Sequence, residues 1–272
     1  MGEKSQYRGQ IAELLDKAVA AGNSEGVATF LRAHSNLPGP RGNLELAEAF
    51  AWVIEETAAH APTEVWHLCL KLAATDPERA PVNDPGEFVV FCGIRGLGAV
   101  AVSDKQRYAD AMAYLKDAAT DPRWRAREAV AMALQDLIAS HGMQVLTDLA
   151  AWVQGADWLA MRAVAAGVAE PRLLKDAAVA QAALDLHRLI LYRFEAGGTD
   201  RSDAFRALRQ GLGYSLSVIV AALPAVGWSY MRELAATRNE QIEWVLRENL
   251  KKTRLLRNFP TEVQDVRGRI SS

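Results

Sequence analysis

The string Ala-Ala-Thr-Asp-Pro occurs twice in this chain of 272 residues, at 73–77 and at 118–122, a separation of 45. A unit of roughly 35 to 45 residues is the length of one helical hairpin, and such a hairpin cannot cover both of its own apolar faces. Neighbouring hairpins then have to stack. Trp124-Arg125-Ala126-Arg127-Glu128 and Trp244-Val245-Leu246-Arg247-Glu248 share the pattern Trp-x-x-Arg-Glu, and Asp157-Trp158 with Arg162 gives a looser third version. Composition agrees with helices, since 48 alanines against only 10 prolines favour closely packed helices over a Val- and Thr-rich sheet.

The clearest periodicity lies in residues 122–140, where Ala126, Ala129, Val130, Ala133, Leu134, Leu137 and Ile138 share one helical face. Arg123, Arg125, Glu128, Met132 and Asp136 fall outside it, and Asp121 is placed to cap the helix. Extending this reading gives N-terminal helices over 7–34 and 43–60, joined by the turn-rich Ser35–Gly42. Hairpins follow over 62–101, 106–140, 143–171, 175–223 and 226–257, the fourth with a long helix Lys175–Glu195, a Gly197-Gly198 break and a short helix Ser202–Gln210. The expected organisation is a single solenoid over 1–257 and a loose tail over 258–272.

The run from Asp121 to Leu134, Asp-Pro-x-Trp-x-x-Arg-Glu-Ala-x-x-x-Ala-Leu, resembles a HEAT repeat, with Asp121 and Arg127 at that repeat's Asp and Arg positions. The resemblance covers most of residues 62–257 and implies an all-α, right-handed α-solenoid. It further implies that Arg127 bonds to Asp121, and Arg162 to Asp157, as structural ties. A more distant resemblance in architecture is to the HEAT-like alkylpurine DNA glycosylases, which use a Trp-Trp-Asp run as aromatic platform and catalytic carboxylate. That run is missing here, so no catalytic residue carries over; the nearest substitutes are Asp157-Trp158 and Trp124 with Glu128.

No constellation for covalent chemistry stands out. The histidines His34, His60, His67, His141 and His187 lack metal-ligand spacing. Cys69 and Cys92 have no neighbouring base and no Cys-x-x-Cys pairing, which fits a reducing, cytoplasmic setting. Gly93-Ile94-Arg95-Gly96-Leu97-Gly98 follows no strand, so its glycines are expected to let helices approach each other instead of cradling a phosphate. Residues 210–231 contain no charge over 22 positions, yet Gly211, Gly213, Pro224 and Gly227 dilute and break the stretch, so a buried helix and a turn are expected instead of a membrane span.

Charge is segregated. Residues 42–70 carry five glutamates and no Lys or Arg, whereas Arg247, Lys251, Lys252, Arg254 and Arg257 stand against Glu248 alone within 247–257. The seven tryptophans divide between two readings: Trp124, Trp158 and Trp244 as inter-repeat core, or as stacking faces on a concave surface. The sequence is therefore expected to encode a non-catalytic binding or scaffold protein with no cofactor or metal. Its partner is a macromolecule, a protein ahead of DNA. The binding set is Trp124, Arg127, Glu128, Trp158, Arg162, Arg247, Lys251, Lys252 and Arg254, and the alternative is DNA binding or glycosylase chemistry with Glu128 or Asp157 as the carboxylate.

Overall fold

The computed structural model describes residues 3–155 and 157–271. Among the described residues there are fifteen α-helices and no strand, and they form two compact units divided between Ser140 and His141.

The first unit holds α1 (Glu3–Ala21), α2 (Glu25–Ala33), α3 (Leu44–Ala58), α4 (Pro62–Ala73), α5 (Pro85–Ser103), α6 (Tyr108–Ala118) and α7 (Trp124–His141). The segment 7–34, expected to be continuous, is broken at Gly22, whose φ of +63° lies in the left-handed region. Every residue of α5 from Gly86 to Ala101 is buried, as a helix apolar on all sides requires. It packs against α2, α3, α4 and α6. Its glycines act as the sequence suggested: a Cβ on Gly93 would stand 2.5 Å from the Ala73 amide nitrogen, and one on Gly98 would stand 2.7 Å from the Ala133 Cβ. Among the described residues the one helix long and apolar enough to cross a membrane is α5, not the 210–231 stretch, and 89% of its apolar window is buried inside the protein.

The pentapeptide repeat is real at the level of local geometry. α4 and α6 end at its first alanine, Ala73 and Ala118. Asp76 and Asp121 then each accept a hydrogen bond from the amide two residues on, both at 2.7 Å. Arg123 ties the two copies together. Its guanidinium pairs with the Asp121 carboxylate at 2.7 Å and donates to Thr75 O of the other copy at 2.9 Å. Arg127 bonds Asp121 as expected, through its main-chain carbonyl at 2.5 Å, and also donates to Pro122 O at 3.0 Å. Arg123 and Arg125, assigned from periodicity to the outer side of α7, are both buried because each has a fixed polar partner at the helix start.

The second unit holds α8 (Met143–Gln154), α9 (Trp158–Val168), α10 (Ala177–Ala196), α11 (Asp203–Ala222), α12 (Pro224–Ala236), α13 (Glu240–Asn249), α14 (Thr253–Asn258) and α15 (Pro260–Ser271). Here α11 is central, packed against α9, α12 and α13. It runs unbroken past Gln210, because Gly213 and the small residues around it make room for neighbours instead of ending the helix; a Cβ on Gly213 would meet the Trp244 ring at 3.1 Å. Two buried polar groups lock α11 in place. His187 of α10 bonds Ser215 Oγ at 2.8 Å through Nε2, and Asn249 of α13 accepts from Ser217 N at 2.7 Å while donating to Leu212 O at 2.8 Å. The expected loose tail is a packed helix: Val263, Val266 and Ile270, on one face of α15, are buried, and Asp265 takes Arg232 of α12 at 2.6 Å.

Candidate functional site

Each unit brings chemistry-bearing side chains together in one place. In the first, Arg41, Gly42 and Leu44 from the Ser35–Gly42 connector and the start of α3, Phe88 and Phe91 from α5, and Trp124, Arg125 and Glu128 from α7 line a cavity of about 200 Å³. The Phe88 and Phe91 rings lie parallel, 5.9 Å apart, and both side chains are buried. Trp124 remains 43% exposed, with the Arg125 guanidinium 4.3 Å from its ring centre.

A closed circuit of hydrogen bonds fixes this arrangement. Arg125 donates to Glu87 Oε2 at 2.9 Å and to Gly39 O at 2.7 Å. Gly39 N donates to Asn83 Oδ1 at 2.9 Å, and Asn83 N donates to the same Glu87 Oε2 at 2.8 Å. The connector, the loop before α5, and α7 are thereby tied around one fully buried carboxylate. Gly42 contributes by its lack of a side chain, since a Cβ there would press on the Phe88 ring at 3.2 Å. Two atoms inside the circuit, Glu87 Oε1 and Arg125 Nε, are buried without a hydrogen-bond partner.

In the second unit Trp244, Arg247, Glu248, Lys251, Arg267 and Ile270 line a groove of about 590 Å³. Arg209 stacks over Trp244 at 3.9 Å, and burial lowers its pKa below the ordinary guanidinium value. Beyond the groove, Arg254 and Lys252 stand over the half-exposed Tyr214 ring at 4.6 and 5.5 Å, and Arg254 also donates to the Tyr214 hydroxyl at 2.5 Å. The cations are partly matched by acids on the same surface: Arg247 with Glu243 at 2.9 Å and Lys251 with Glu248 at 2.5 Å.

Of the residues singled out from sequence, Trp124 and Glu128 share the first cavity, and Arg247 and Lys251 share the second groove. Asp157 is occupied as the N-cap of α9, accepting from Leu159 N at 2.8 Å and Ala160 N at 2.9 Å. Trp158 donates its indole N–H to Asp200 at 2.8 Å and sets its edge on Phe205, so Asp157-Trp158 forms a helix start and a loop anchor. The carboxyl of Asp200 is held below its ordinary pKa, first by the Ser202 amide. Arg162 lies on α9 beside Gly211 of α11. Of the tryptophans assigned to inter-repeat core, Trp124 is exposed, whereas Trp158 and Trp244 are half-buried and pack on α11 at Phe205 and Gly213; the fully buried tryptophans are Trp66, Trp152 and Trp228.

Sequence reasoning missed Arg41, Glu87, Phe88, Phe91, Arg209, Tyr214 and Arg267. For Glu87 a signal existed: it is one of only two charges in a 19-residue apolar helix, a placement that requires a buried partner. Among the described residues no group of His, Cys, Asp and Glu side chains is arranged to hold a metal ion. No protein-family model matches this chain, and no curated protein matches it.

Proposed function

We propose that this is a helical-repeat protein, its hairpins stacked in HEAT-like fashion, that binds an acidic segment of a partner protein and performs no covalent chemistry. The cationic and aromatic surface of the second unit carries the reading. Trp, Tyr and Arg are the side chains that dominate protein interfaces, and here Trp244, Arg247 and Arg267 line a groove large enough for several partner side chains, with Tyr214 and Arg254 beyond it. Glu248 on the groove lining, paired with Lys251, and Glu243, paired with Arg247, break the run of cations that a continuous phosphate backbone would need, which favours a polypeptide over a nucleic acid. Charge at the level of the units agrees: residues 1–140 carry 14 basic and 19 acidic side chains, residues 141–272 carry 17 and 14.

A second reading, DNA binding or alkylbase release, is favoured by one observation, that Trp124 and Glu128 line the same cavity. The two separate in a binding titration by fluorescence anisotropy, using a labelled glutamate-rich peptide and a labelled DNA duplex across a salt series. The expected result is saturable peptide binding that weakens about tenfold or more in Lys251→Glu and Arg254→Glu. Tighter binding of the duplex with a steep salt slope would replace the protein reading with the nucleic-acid one.

A further inference from the structure

We infer that the cavity of the first unit is a binding site for a small aromatic carboxylate, a flat ring system carrying a single negative charge. The walls define the ring. Phe88 and Phe91 give an apolar floor, and Trp124 adds a third aromatic surface. Holding an indole 43% exposed forgoes the stabilisation its burial would bring, and the chain invests a buried ion pair in holding it there. Glu87 fixes Arg125, and Arg125 lies against the Trp124 ring, so the aromatic wall is set before a ligand arrives.

Size narrows the occupant. Small-molecule sites run from roughly 300 to 1,000 Å³, and a cavity of about 200 Å³ falls below that span. One ring or two fused rings fit; a nucleotide does not.

Charge then selects the substituent. Arg41 stands exposed on the cavity lining and has no acidic partner among the described residues. Arg125 adds a second, largely buried guanidinium to the same lining, its Nε–H without an acceptor in the protein. Glu128 on the same lining opposes a second negative charge, which favours a carboxylate over a phosphate.

The same chemistry could come from a free metabolite or from a polypeptide ending in an aromatic residue, and calorimetric titration distinguishes the sources. The ligands are indole-3-acetate, indole, phenyl phosphate, and a peptide ending in tryptophan with its terminus free or amidated. One site per chain is expected for indole-3-acetate, with affinity reduced about tenfold or more in Arg41→Gln and in Trp124→Ala. Arg41 is exposed, so the thermal midpoint of Arg41→Gln should match the wild type. Tighter binding of the free-terminus peptide than of indole-3-acetate would assign the site to a chain end. Three results would overturn the inference: no saturable binding of either carboxylate, equal affinity for indole or phenyl phosphate, or wild-type affinity in Arg41→Gln. The second unit's groove is untouched by these variants, so this outcome is independent of the acidic-peptide titration.

Discussion

Glu87 and Arg125 lie 2.9 Å apart with 0% and 6% of their side chains exposed, so each is tolerable only because the other is present. Truncating one leaves an uncompensated buried charge. Arg125→Met is expected to cost about 3 kcal/mol in urea unfolding, and the double variant Glu87→Leu/Arg125→Met less than the two single losses together. His187 poses a different problem. Burial pushes its pKa down to about 4, against the opposing bond to Ala183 O, so it is neutral in the folded state. Because the folded value lies below the ordinary imidazole value of 6.5, the unfolded chain binds more protons between the two. Stability is therefore full above pH 6.5 and is lost as pH falls toward 4, by up to about 3 kcal/mol at 1.36 kcal/mol per unit. Urea midpoints measured across that range should fall for the wild type and stay flatter in His187→Gln; equal slopes would show that His187 does not carry the loss.

Glycine has opposite consequences on different helices. On α1 a Cβ added to Gly9 meets nothing within 4 Å, so Gly9→Ala should stabilise by up to about 1 kcal/mol through helix propensity alone. On α5 the same change at Gly93 drives a methyl to 2.5 Å from the Ala73 amide nitrogen, and Gly93→Ala should destabilise by about 2 kcal/mol despite that propensity. Denaturant midpoints of the two variants should move in opposite directions. In α15, Val266→Asp should lower the stability of the second unit by several kcal/mol, since Val266 is fully buried; an unchanged midpoint would return the 258–272 segment to the loose tail expected from sequence.

These elements also show how far the sequence could be read. α4, α6 and α7 were legible because apolar spacing and the Asp-Pro stops mark them directly. α15 was not, because only Val263, Val266 and Ile270 carry its buried face and polar residues surround them. The fate of Asp157 and Trp158 was equally hidden: whether a carboxylate caps a helix or faces a ligand depends on amides and side chains that the fold brings in, such as Asp200, 42 residues after Trp158. Trp124 and Glu128 were found through their spacing on α7. Arg41, Phe88 and Phe91 complete the same cavity from segments distant in the chain, and no local pattern joins them.

At the scale of the whole molecule, acid is in excess in residues 1–140 and base in 141–272, and the proposed acidic-peptide surface lies in the second of these. Binding without covalent chemistry is the central claim, and it meets its most exacting test in the reaction that the Trp124 and Glu128 cavity could otherwise support. The measurement is release of free base from an alkylpurine-containing duplex under single-turnover conditions, with protein in excess. The expected result is a rate equal to that of the protein-free duplex, for both the wild type and Glu128→Gln. Release by the wild type that Glu128→Gln abolishes would contradict the claim and make Glu128 a catalytic carboxylate.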